Sequence, residues 1–171
     1  MNAPVHHPLQ PDSGQSDAAS AAIGRLIVAC AGFEAKLTLL MKVIDRSASP
    51  RLLPSQKIKA IRDAMQGGAS DTVAPRQHGR IRIILLEAET ILSLRAECAH
   101  SGVVQALVNG ETRWLLRNAQ LAGDPLDRCV MISPAEIAEA TARIKQLANQ
   151  LKQILNPPLP PQPKPDAAAG P

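Results

Sequence analysis

Arg95 and His100 stand five positions apart in the run Arg95-Ala96-Glu97-Cys98-Ala99-His100, just before Ser101-Gly102. Arginine is a permanent cation that can grip a phosphate through two parallel hydrogen bonds. Histidine is the side chain whose proton moves near neutral pH, so the pair has the chemistry needed to cleave a phosphodiester. The elements around the pair decide whether these groups can converge.

Apolar residues recur at three and four from Ala18 to Asp45, through Ile23, Leu26, Ile27, Cys30, Phe33, Leu37, Leu40, Met41 and Ile44, which predicts a long amphipathic helix. A shorter helix is expected from Pro54 to Met65, with Gly67-Gly68 as its stop and a loop from Gly67 to Gln77. The third helix is expected from Arg80 to His100, ended by Gly102, with the Arg95 and His100 motif on its last turns. Val103–Val108 and Glu111–Leu116 flank Asn109-Gly110, the dipeptide that accepts the positive φ of a two-residue type I′ turn, and so predict a hairpin. Cys129–Ile132 is a candidate third strand. Ser133-Pro134-Ala135-Glu136 is a capping box with proline at the first helical position, opening a last helix that runs to Leu155. The fold expected from this pattern is mainly α, an antiparallel four-helix bundle with a small β-hairpin inserted before the last helix.

Counting at 100° per residue places two charges on apolar faces. Glu34 lies within ~20° to ~60° of Ile27, Cys30 and Met41, and Arg95 falls between Ile91 and Ala99 on the core side. Burying either charge alone would cost several kcal/mol, so the two are predicted to meet as an ion pair between the long helices. His100 is ~140° around the helix from Arg95, so convergence requires both side chains to bend toward one cleft.

The Arg95/His100 spacing resembles the R-x4-H signature of the HEPN (higher eukaryotes and prokaryotes nucleotide-binding) superfamily. That resemblance covers the helical body, residues 18–155, between an expected N-terminal tail at 1–17 and a Pro-rich tail at 156–171. It implies an all-helical, often homodimeric domain whose active members cut RNA without a metal or other cofactor. Arg95 would hold the phosphate and His100 would act as general acid or base in attack by the adjacent ribose hydroxyl. The sequence departs from the pattern at Ala96, where many active relatives have Asn, Asp or His. The resemblance extends to RNA and an antitoxin as partners, in a toxin or defence system. The alternative is a non-catalytic dimerisation or adaptor module in which Glu34 and Arg95 fix helix register and His100 caps its helix. Arg76, Arg80 and Arg82, with His78, are candidate phosphate contacts, since cations at a helix start oppose its dipole and invite an anion.

Composition narrows the classes. The formal charge of +4 in 171 residues is spread along the chain, and Phe33 and Trp114 are its sole aromatics, so there are few platforms for stacking bases. Trp114, in the hairpin, is expected in the core or at a dimer interface. The three cysteines lie far apart with no C-x-x-C pair, which points to neither zinc nor a disulfide framework. The first twenty residues lack the pattern of a secretory signal, and no apolar run reaches the ~20 residues a membrane span needs, so a cytoplasmic protein is expected. His6-His7 and the P-x-x-P spacings at Pro157–Pro161 are read as solvated tail.

Overall fold

The computed structural model describes residues 13–67, 73–118 and 129–156. Four helices and a three-stranded sheet follow in the order α1 (Ser13–Ile44), α2 (Pro54–Gln66), α3 (Pro75–His100), β1 (Ser101–Val108), β2 (Glu111–Asn118), β3 (Cys129–Ile132) and α4 (Pro134–Leu155). The chain is mainly helical. Helix α1 packs chiefly on α4 and also on α2 and α3. Its inward face, Leu26, Cys30, Phe33, Leu37 and Leu40, is completely buried. Aliphatic side chains from the other elements close around it, including Ile58 and Ile61, Ile81 and Leu85, and Ile144 and Leu147.

The local signals that rest on turn and cap chemistry appear where the sequence puts them. Asn109 and Gly110 both have positive φ, 53° and 79°, and the hairpin pairs Val108 with Glu111 and Val104 with Leu115. The third strand pairs antiparallel with β2, giving the order β1-β2-β3. Trp114, Leu116 and Ile132 turn inward from this sheet and are buried, so Trp114 belongs to the core of a single chain.

At the start of α4, the Glu136 N–H donates to Ser133 Oγ at 3.1 Å, while Glu136 Oε2 accepts from the Ser133 N–H at 2.7 Å. Hydrogen bonds from the Ser133 hydroxyl and N–H hold the Glu136 carboxyl below its ordinary range, with Arg113 assisting. A carboxylate depressed in the folded state contributes stability that is complete above its unfolded pKa and lost as the pH falls through the lower folded value. Ser133→Ala is therefore expected to cost about 1 kcal/mol at neutral pH. Glu136→Gln should flatten part of the acid limb of a stability–pH curve measured by urea denaturation.

Several boundaries differ from the sequence expectation, and β1 and β2 each extend two residues further, from Ser101 and to Asn118. Helix α1 begins at Ser13, inside the segment expected as a tail, because extending an established helix into polar residues is far easier than nucleating one. Helix α3 begins at Pro75, five residues before Arg80, so the expected loop to Gln77 is shorter; proline at the first helical position suits a site whose N–H has no intrahelical partner. Gly102 is not a helix cap. The chain passes from His100 through an extended Ser101 (φ −106°, ψ 142°) directly into β1. Likewise Gly67 ends α2 at φ −75° rather than in the left-handed region. His6-His7, the P-x-x-P spacings and the rest of both expected tails outside 13–17 and Asn156 lie beyond the described residues.

Candidate functional site

Helix α3 carries the motif, and two ion pairs on opposite flanks hold it. Glu89 accepts both terminal nitrogens of Arg62 on α2, at 2.8 Å each, and Glu87 accepts Arg143 Nε on α4 at 2.7 Å. The bidentate Arg62 geometry fixes direction as well as distance. They join α3 to α2 and to α4, while its buried face of Ile81, Ile84, Leu85, Ala88, Ile91 and Leu92 lies in the core.

Near the end of that helix, Glu34, Ser55, Glu89, Ser93, Arg95 and His100 line a cavity of about 430 Å³ whose apolar side includes Leu53, Ile58 and Leu92. The structure therefore brings Arg95 and His100 to one cavity despite their separation around the helix. His100 is exposed at its edge, and Arg95 and Glu34 are half-buried. Ala96 also lines the cavity and supplies only a methyl group.

Glu34 and Arg95 share this cavity, but among the described residues no hydrogen bond or ion pair joins them. Glu34 Oε1 and Arg95 Nε are each buried with no partner. The expected direct pair is thus replaced by two facing charges that leave an acceptor and a donor uncommitted. Groups of this kind are costly to desolvate without a partner, and they mark the cavity as a place where a polar ligand would gain most.

Behind them sit two thiols. Burial pushes the Cys30 thiol up to about 11, against the pull of the Arg95 guanidinium, with Glu34 and Cys98 adding to the rise. Burial likewise pushes Cys98 up to about 11, and Glu97 adds to it. Because the thiolate is the reactive form, both should resist a thiol reagent at pH 7 in the native protein. Cys129, half-buried on β3, is expected to react first, and all three thiols of the unfolded chain should titrate with a chromogenic disulfide.

Sequence reasoning missed Lys57. It is 7% exposed, and its Nζ donates at 2.8 Å to Thr38 Oγ1, which in turn donates to the Glu34 carbonyl at 2.9 Å. This chain of bonds ties α2 to α1 at the turn that presents Glu34. The signal was available, since Lys57 is four residues before Ile61 and adjacent to Ile58 on the apolar face of α2.

The candidate phosphate contacts do not gather at the Arg95 cavity. Arg76 and Arg80 are exposed on one side of the first turns of α3. Arg82 faces a separate cavity of about 500 Å³ with Arg62, Gln66 and His78. Arg82 and Arg95 are about 20 Å apart along the helix. No cluster of three His, Cys, Asp or Glu side chains able to hold a metal occurs among the described residues. No described helix is long and apolar enough to cross a membrane.

Against models of known families, curated proteins and solved structures, the chain has no match.

Proposed function

We propose that this chain is a HEPN-like helical-bundle protein that engages RNA at the Arg95/His100 cavity and cleaves it without a metal ion. It would act in the cytoplasm, as a homodimer, in a toxin or defence setting with a protein antagonist. The observation that carries the reading is the shared cavity: a permanent cation and an imidazole face one space from a single helix end. In the proposed reaction Arg95 binds a non-bridging phosphate oxygen and stabilises the charge that grows on it. His100 takes the proton from the ribose 2′-hydroxyl or gives one to the leaving 5′-oxygen. Arg95 is half-buried and its Nε makes no hydrogen bond, so the guanidinium is not committed to Glu34.

A second reading is favoured by the carboxylates and by Ala96. Glu34 and Glu89 line the same cavity as Arg95, and negative charge there opposes a phosphate, although Glu89 is already paired with Arg62. In that reading the chain is an adaptor and the motif positions helices. Incubating RNA with purified protein in excess chelator separates the two. The nuclease reading expects cutting by the wild type and none by Arg95→Ala or His100→Ala; equal cutting by all three, or by none, supports the adaptor.

A further inference from the structure

Helix α1 carries a second apolar stripe on its outside. Val28, Gly32, Ala35 and Leu39 follow at spacings of four, three and four within an arc of about 60°, the period at which one helix seats along another. Val28 is 72% exposed and Leu39 51%, and Gly32 and Ala35 are exposed with them. The stripe borders a groove between α1 and α4. Two hollows of about 740 and 760 Å³ share Arg25 and Lys145 in their walls and so run into one another, the first beside Trp114 and the start of α4, the second between Val28 and Ala148. Gly24 and Gly32 both line the second hollow, and a Cβ at either would meet nothing of this chain within 4 Å. Glycine weakens a helix interior, and packing within the chain does not account for it at either position.

The charge of this groove is one-sided. Arg25, Lys36 and Lys145 line it, none of them joins an ion pair among the described residues, and no Asp or Glu lines either hollow. Lys152 continues the α4 wall about two turns beyond Lys145. The acids of the two helices stand elsewhere. On α1, Asp17 is a turn before Ala21 at the helix start, and Glu34 lies at the Arg95 cavity. On α4, Glu136 and Glu139 are about 120° or more around the helix from Lys145.

We propose that this groove seats an amphipathic helix of a partner protein, with its apolar seam against Val28, Gly32 and Leu39 and its acidic flank against Arg25, Lys36 and Lys145. The period selects a helix, since an extended chain would repeat its contacts every second residue. The bare backbone at Gly24 and Gly32 lets that helix come close, and the uncommitted cations select acid. Other occupants fit less well. A second copy's own α1 would bring Arg25 and Lys36 toward the same cations. Residues 1–12 and 157–171 each contain a single acid, Asp12 or Asp166, and are interrupted by proline, so neither supplies an acid-flanked helix. A phosphate backbone would satisfy the cations but set Val28 and Leu39 against charge.

The groove shares no lining residue with the Arg95 cavity. The inference therefore goes beyond the proposed nuclease activity and does not depend on it: RNA left intact would remove that reading and leave this one standing.

The test titrates the full-length chain into a fluorescein-labelled synthetic helix of four heptads, with Leu at both seam positions and Glu on both flanks. Anisotropy should report saturable binding that weakens as salt is added, and the same peptide with Lys in place of Glu should not bind. Gly32→Leu should weaken binding about 100-fold with helicity by circular dichroism unchanged, because leucine favours the helix and the space above residue 32 is empty of this chain. The triple variant Arg25→Glu, Lys36→Glu, Lys145→Glu should lose the acidic peptide and gain the basic one. Leu86→Glu, at an exposed apolar site on α3, should change neither. No binding at the highest attainable concentration overturns the proposal. So does equal binding of both peptides, or binding indifferent to Gly32→Leu. A wild-type dimer that falls to monomer in Gly32→Leu would give the groove to a second copy. Phosphatidylserine vesicles or RNA held by the wild type and lost by the triple variant, with the peptide ignored, would give it to a membrane or to nucleic acid. Either result also overturns the proposal.

Discussion

Phe33→Ala is expected to lower the stability of the fold by about 3–5 kcal/mol, read as a fall in the urea midpoint with the slope unchanged. Phe33 is completely buried on the inward face of α1, the helix on which α2, α3 and α4 all pack. It is the one phenylalanine in the chain, and its neighbours are aliphatic. Removing the ring forfeits its transfer free energy and leaves a space bordered by several elements, which cannot all move inward together without disturbing their other contacts. A marginal domain has only ~5–15 kcal/mol in total, so this change alone should bring the protein close to unfolding at 37 °C. Leu86→Ala provides the contrast: Leu86 is equally apolar but 63% exposed on α3, and its loss should stay within about 0.5 kcal/mol.

How far the sequence discloses this structure depends on the range of the interaction. Asn109-Gly110 and the Ser133–Glu136 box are complete statements within four residues, and both turn and cap form as their chemistry dictates. Helix faces are legible for a similar reason: counting puts Phe33, Leu37, Ile84 and Ile144 inside, where they lie. Counting also shows that Glu34 and Arg95 point toward the same interior. It does not show whether they touch. That depends on how α1 and α3 cross and on the long-range packing of α3, whose side chains also reach Arg62 and Arg143, 27 and 56 residues away from their partners Glu89 and Glu87. The same remoteness explains why the cavity is not visible in the sequence. It combines α1 and α3 with the Leu53–Ser55 entry to α2, where the Leu53 N–H is held by Gln56 Oε1 at 2.9 Å. The start of α3 at Pro75 is, by contrast, a local signal, since proline fixes φ and needs no intrahelical N–H partner.

His100→Ala is expected to slow RNA cleavage by about 10²–10⁴-fold, the usual contribution of a positioned acid or base. Arg95→Ala should do at least as much, because it also removes the cation that grips the phosphate, and Arg95→Lys should recover only part of it, since lysine lacks the planar fork. The two side chains differ in what they can lose without unfolding the protein. His100 is exposed at the last position of α3, so its truncation should leave the melting temperature unchanged, and a lost rate there cannot be attributed to a lost fold. Arg95 is half-buried at the cavity that Glu34 also lines, and its removal takes a cation away from a carboxylate whose Oε1 is buried without a hydrogen-bond partner. Some destabilisation should accompany Arg95→Ala, and pairing it with Glu34→Gln should relieve that destabilisation without restoring cleavage. The final discriminator is the substrate. A 2′-deoxy nucleotide at the cut position lacks the attacking hydroxyl, so wild-type protein should bind such an RNA and leave it whole, whereas cleavage of that RNA would rule out attack by the ribose and with it the assigned role of His100.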